Sequence, residues 1–151
     1  MREFWYQRFH QLALIEELID GKPDAVRANL AHFWEHWSGP HHVVDDAELS
    51  VVAAGYARPG AFRASIGWYR ASAGMVASSL AEQAPAPQDR IGMPTTVLWP
   101  EHDPLFPRAW SDRLDDFFAC ATLVPVHGAG HFAPMEYPER FAEAVLEASR
   151  S

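Results

Sequence analysis

Cysteine is nearly missing from this chain: Cys120 is the single one among 151 residues. No internal disulfide framework is possible, and a lone thiol suits a reducing compartment, so the cytoplasm is the expected location. Cations are scarce too. Twelve Lys and Arg stand against 20 Asp and Glu, and the resulting net charge of −8 opposes nucleic-acid binding, which needs a basic face. No apolar run has the length of a membrane span. Neither a nucleic acid nor a membrane is therefore an expected partner. A secretory leader is not expected at the start, because Gln7, Arg8, His10 and Gln11 interrupt the apolar residues there. Internal repeats and long low-complexity tracts are also absent from the sequence.

What is present is an ordinary globular composition, 48% hydrophobic and 21% charged, with six Trp and nine Phe for an aromatic core or pocket. Residues 1–82 read as helical. Leu12, Leu14, Ile15, Leu18 and Ile19 cluster before the stop Asp20-Gly21-Lys22-Pro23. A helix over 24–37 carries Val26, Leu30, Phe33, Trp34 and Trp37 near helical spacing and ends at Ser38-Gly39-Pro40. Asp45, with Glu48 three positions on, is a capping signal for a helix reaching about 57, and another helix is predicted over 61–73. Residues 83–92, rich in Pro and Ala, read as a linker. Residues 93–151 then follow a strand–helix–strand–helix order. His32 and His36 are four apart on a helix with His41 and His42 nearby, a spacing that can bind zinc. No HExxH order or cysteine partner accompanies them, and a solvated helix face is the expectation, so no metal site is assigned.

Two loops in the last block carry the chemistry. Thr122-Leu123-Val124-Pro125-Val126 is short, apolar and β-branched, the pattern of a buried strand. It runs into Gly128-Ala129-Gly130-His131, and Pro138 can then open a helix whose apolar face is Phe141, Val145 and Leu146. Glu136 and Glu139 are expected to favour the positive end of that helix. His131 thus lies in a loop at the carboxyl end of a strand, where open α/β sheets place their reactive groups. A second strand over 95–99 ends in a loop bearing Asp103, 28 residues before His131. An acid and a histidine at the ends of neighbouring parallel strands can hydrogen-bond, the acid fixing the imidazole tautomer. Asp103 before Pro104 is also a natural turn cap.

The segments PTTVLWPEHDPLFP and VHGAGHFAPMEYPERF together resemble the last third of the α/β-hydrolase fold, in order, spacing and flanking residues. Pro100 departs from the glycine usual in that family. FWYQRFHQL near the start and ARPGAFRASIGWYRAS at 57–72 resemble the lid of epoxide hydrolases of the same superfamily. The resemblance implies a partial α/β-hydrolase fold: a helical lid over 1–82, a linker over 83–92, and over 93–151 the last two parallel strands with flanking helices. It also implies Asp103 and His131 as the acid and histidine of a catalytic triad. Tyr6 and Tyr69 would be the lid tyrosines that hold the substrate oxygen, with Trp5, Phe9 and Trp68 lining the pocket. A phenol suits that role, since opening an epoxide develops negative charge on oxygen. Both tyrosines could equally be packing residues of the lid.

The same family needs a nucleophile on a strand–helix elbow ahead of the lid. No GxSxG occurs, Ser72 and Ser78 are in another context, and no Gly-rich oxyanion loop is present. The expectation is a carboxyl-terminal half that resembles an epoxide hydrolase, inactive as this chain alone and needing no cofactor. A complementing amino-terminal half is an expected partner, and the substrate of the completed enzyme would be a small apolar epoxide. A haloacid dehalogenase half acting on a haloacid, and a non-catalytic remnant or subunit, are the alternatives.

Overall fold

A computed structural model of the chain describes residues 4–71 and 81–150. They group into two compact units: Met1–His36 with Val43–Glu82, and Trp37–His42 with Gln83–Ser151. Ser72, Ser78 and the end of the helix expected over 61–73 lie outside the described residues. Among the described residues, no helix is long and apolar enough to cross a membrane.

The first unit is built of helices: α1 (Trp5–Gln11), α2 (Leu14–Ile19), α3 (Pro23–Trp37), α4 (Asp46–Tyr56), α5 (Ala61–Ser65) and α6 (Gly67–Ala71). Its core is Ile15, Ile19, Val26, Phe62 and Ile66, with Phe9, Leu30 and Tyr69 packed against them. Of the apolar cluster around α2, Ile15 and Ile19 are buried, while Leu12, Leu14 and Leu18 stay exposed. Positions i and i+4 share one helix face, and only that face meets the core. Asp45 caps α4 through one oxygen, which accepts from the N–H groups of Ala47 (2.7 Å) and Glu48 (3.0 Å). Asp20 closes α2 and reaches across to α5, accepting from Arg63 N–H (3.1 Å) and Gly60 N–H (2.8 Å). Those two donors hold its carboxyl below the usual range. The single helix expected over 61–73 is instead broken at Ile66 into α5 and α6. The Ser65 hydroxyl donates back to the Phe62 carbonyl (2.7 Å), a bond that competes with the helical ladder, and Gly67 follows at once.

The second unit holds two strands, β1 (Thr95–Pro100) and β2 (Ala121–Val126), paired in parallel with Thr95 opposite Ala121 and Pro100 opposite Val126. Pro100 falls at the strand's end, where its missing N–H interrupts the ladder least. The crossover contains a 3-10 turn (Arg108–Arg113) and α7 (Leu114–Phe117); α8 (Ala133–Glu136) and α9 (Pro138–Ala148) follow β2. Val126, Ala129 and Ala133 form the buried cluster, joined by Leu98, Tyr137 and Phe141. Of the three positions expected to give α9 its apolar face, Phe141 packs on this cluster. Val145 and Leu146 are 68% and 55% exposed, a correction to the sequence reading. They lie one to two turns further along α9, beyond the reach of the small residues that make the cluster.

Candidate active site

The two strands deliver their following loops side by side. The loops are stitched together by backbone: Glu101 N–H donates to the Val126 carbonyl (3.1 Å) and His102 N–H to the Ala129 carbonyl (2.8 Å). The Glu101 carboxylate accepts from Gly128 N–H (3.0 Å), and that donor is the main reason its carboxyl is held below the usual range. His127 and His102 flank it at 3.4 and 3.6 Å.

On this frame Asp103 and His131 meet. One Asp103 oxygen accepts from Leu105 N–H (2.8 Å) and Phe106 N–H (3.1 Å), closing a turn through Pro104. The other lies 3.0 Å from His131 Nδ1. The residue is thus turn cap and histidine partner at once. Burial pushes its carboxyl up, but the hydrogen bonds from His131, Leu105 and Phe106 outweigh that and hold it below the ordinary value. An ionised Asp103 accepts, so Nδ1 carries the imidazole proton and Nε2 is left as the accepting nitrogen. The Asp103 side chain is 5% exposed and the imidazole 25%, so the imidazole is reachable and its carboxylate partner is not.

The loop around His131 is held closely. Gly128 takes a φ of +77°, a conformation that favours glycine. Gly130 serves another need: a Cβ there would lie 2.3 Å from the Trp37 carbonyl. That carbonyl accepts the His131 N–H at 2.7 Å. The Trp37 ring stands edge-on to the imidazole at 5.4 Å, and the Phe106 ring stacks at 5.9 Å. Glu136 differs from expectation. It does not serve the helix opened by Pro138; it ends α8, and its carboxylate accepts from the N–H groups of Gly39 (2.8 Å), Gly130 (2.9 Å) and Phe132 (3.1 Å).

The remaining expected site residues belong to the first unit. Tyr6 is buried and Tyr69 half-buried, their rings edge-on at 5.7 Å. Burial first, then the neighbouring Tyr6 and its side-chain hydrogen bond, push the Tyr69 phenol up to about 12. Tyr69 therefore keeps its proton at neutral pH. Trp68 lies over Tyr69 at 4.0 Å and is 51% exposed; Trp5 packs on Phe9 and Phe33 and is 44% exposed. The His32 and His36 rings stack in parallel at 5.7 Å. A shallow groove of about 450 Å³, lined by Val51, Tyr56, Arg58 and Ser65 among others, includes none of the expected site residues.

Sequence reasoning did not single out His10, Trp37, Gly39 or Glu136 as site residues. His10 is buried beside both tyrosines, with its ring 5.0 Å from Tyr69 and 5.9 Å from Tyr6. Burial pushes its imidazole below the usual value. Its position four residues after Tyr6, on the same helix face, was the available signal. For Trp37 and Gly39 no local signal existed, since their partners are far away in sequence; Glu136 has two near partners, Gly130 and Phe132, and a third, Gly39, 97 residues away.

No family model matches the sequence, and no curated protein matches it. Solved structures do. The crystal structure of wild-type Cfl2 from Burkholderia cenocepacia aligns over 95% of this chain and 47% of its own, with a TM-score of 0.72 at 25% identity. An enantioselective mutant of the epoxide hydrolase from Aspergillus niger aligns over 98% of this chain and 36% of its own, with a TM-score of 0.71 at 16% identity. A serine hydrolase of carbazole degradation, CarC, aligns over 82% and 47%, with a TM-score of 0.62 at 21% identity. The chain spans about half, or less, of the length of these structures. The chain thus has the fold of part of an α/β hydrolase, and epoxide hydrolases are among its structural neighbours.

Proposed function

We propose that these residues supply the lid and the acid–histidine pair of an epoxide hydrolase. The observation that carries the reading is the hydrogen bond between His131 Nδ1 and the buried Asp103 carboxylate. It is the arrangement a water-activating base requires, because it sets the tautomer and stabilises the imidazolium. The paired Tyr6 and Tyr69 favour an epoxide over other substrates, since two phenols suit a nascent alkoxide.

In this reading an aspartate from polypeptide outside residues 1–151 attacks an epoxide carbon. The C–O bond breaks, its electron pair stays on oxygen, and Tyr6 or Tyr69 donates a proton to it. The product is a hydroxyalkyl ester of the aspartate. His131 Nε2 then takes a proton from water, and the hydroxide formed adds to the ester carbonyl. Asp103 stabilises the imidazolium through Nδ1; collapse releases the diol and restores the aspartate, and the imidazolium proton returns, by way of water, to the tyrosinate, resetting both groups. No cofactor enters the cycle. A haloacid would pass through the same ester with halide as the leaving group. A non-catalytic subunit is the second reading, favoured by the lack of any nucleophile-elbow motif in the 151 residues.

The test is reconstitution with an α/β-hydrolase amino-terminal half, followed by rapid-quench mass spectrometry. His131→Ala should accumulate the ester, whereas Tyr6→Phe and Tyr69→Phe should slow its formation. No ester in the histidine variant, with epoxide consumption intact, would remove His131 from the second step. Halide release without diol formation from an epoxide would move the assignment to dehalogenation. Binding without turnover would favour the non-catalytic subunit.

A further inference from the structure

The backbone on both sides of His131 is tied to one carboxylate. Glu136, five residues further on, accepts from Gly130 N–H and Phe132 N–H, the residues immediately before and after the histidine. The oxygen that holds Gly130 also holds Gly39 N–H at 2.8 Å. Between them, the His131 N–H donates to the Trp37 carbonyl at 2.7 Å. Three consecutive N–H groups, at 130, 131 and 132, are therefore all committed, two to Glu136 and one to a segment that Glu136 itself holds through Gly39.

The fit leaves little freedom. A Cβ on Gly130 would lie 2.3 Å from the Trp37 carbonyl oxygen and 2.4 Å from Gly39 N. A Cβ on Gly39 would lie 1.9 Å from the Gly128 carbonyl oxygen and 3.0 Å from the Glu136 carboxylate. Backbone meets backbone here because both residues lack a side chain, and a charged acceptor at the junction draws three donors to one point.

We propose that Glu136 is a positioning residue for His131. Asp103 fixes the imidazole from its Nδ1 side, and Glu136 fixes the peptide planes on either side of the α-carbon. Together they set where Nε2 points. The inference rests on the reading of His131 as the base, but it concerns the geometry of this chain and is measurable without turnover.

The experiment is heteronuclear NMR of the 151-residue chain, comparing wild type with Glu136→Gln and Glu136→Asp. Glutamine keeps the shape but turns one acceptor into a donor facing N–H groups. The expected result is at least about tenfold faster hydrogen exchange at Gly39, Gly130 and Phe132. The His131 imidazole should pass from a single Nδ1–H tautomer to a mixture, while amides of β1 and β2 keep their protection. Glu136→Asp, which retains the charge, should restore part of the tautomer preference. An unchanged tautomer in Glu136→Gln would overturn the proposal, whatever the amides do. Loss of protection in β1 and β2 alongside it would also overturn it, making Glu136 a residue that holds the fold. In a reconstituted enzyme Glu136→Gln should slow ester hydrolysis and spare ester formation. Failure of that arm with the NMR result intact would indict the assigned reaction and not the positioning role.

Discussion

At residue 103 one carboxylate divides its oxygens between a turn and an imidazole, and both uses draw on its charge. Its folded value is depressed, so the stabilisation it gives is fully present above the ordinary carboxylate value, near pH 4. That stabilisation is lost as pH falls through the folded value. Asp103→Asn should cost about 2 kcal/mol at neutral pH, the scale of hydrogen bonds to a charged group. The gap between wild type and variant in urea melts should close as pH is lowered below about 4. A gap that persists unchanged to about pH 2 would mean that the contacts of Asp103 do not depend on its charge. In a reconstituted enzyme the same substitution should slow ester hydrolysis by about four orders of magnitude, because asparagine leaves the wrong tautomer. The pairing of Asp103 with His131 was readable in the sequence, since each lies in a short loop after an apolar strand. Glu136 was not. Its position suggested a helix-end charge, and only the folded chain brings Gly39, 97 residues away, to its oxygen.

Among the elements, the helices that declared themselves have local causes. α4 starts after Asp45 because that side chain satisfies two orphan N–H groups, and Pro23 opens α3 where no N–H is needed. The break between α5 and α6 was not legible, because it depends on Ser65 bonding backward instead of outward. The exposure of Val145 and Leu146 was not legible either; periodicity marks a face but not how far its neighbour extends. Two glycines separate backbone strain from chain entropy experimentally. Gly60 sits at φ +81° ahead of α5, with nothing within 4 Å of the point a Cβ would occupy, so only backbone strain opposes a side chain. Gly60→Ala should therefore destabilise by about 1–2 kcal/mol. Gly55 lies inside α4 with open space around it, and Gly55→Ala should stabilise by about 0.5–1 kcal/mol through lost unfolded-state freedom. Thermal melts of the two variants against wild type decide it: shifts of the same sign would refute the separation of strain from entropy.

For the whole molecule, the proposed reading draws on both units: Tyr6 and Tyr69 belong to the first, Asp103 and His131 to the second. An ester cycle also needs a group that attacks carbon, and the 151 residues hold no nucleophile-elbow motif. On the proposed reading, His131 would have water to activate but no ester to receive it. Residues 1–151 by themselves are therefore expected to hydrolyse neither epoxides nor activated esters above the buffer rate. A base acting alone on bulk substrate keeps only a small part of the acceleration that the assembled residues give, because their contributions are not additive. The measurement is diol and phenolate release by the purified chain, with His131→Ala as the reference. Equal, background-level rates are the expected outcome. Robust turnover that disappears in His131→Ala would show that the chain carries its own nucleophile.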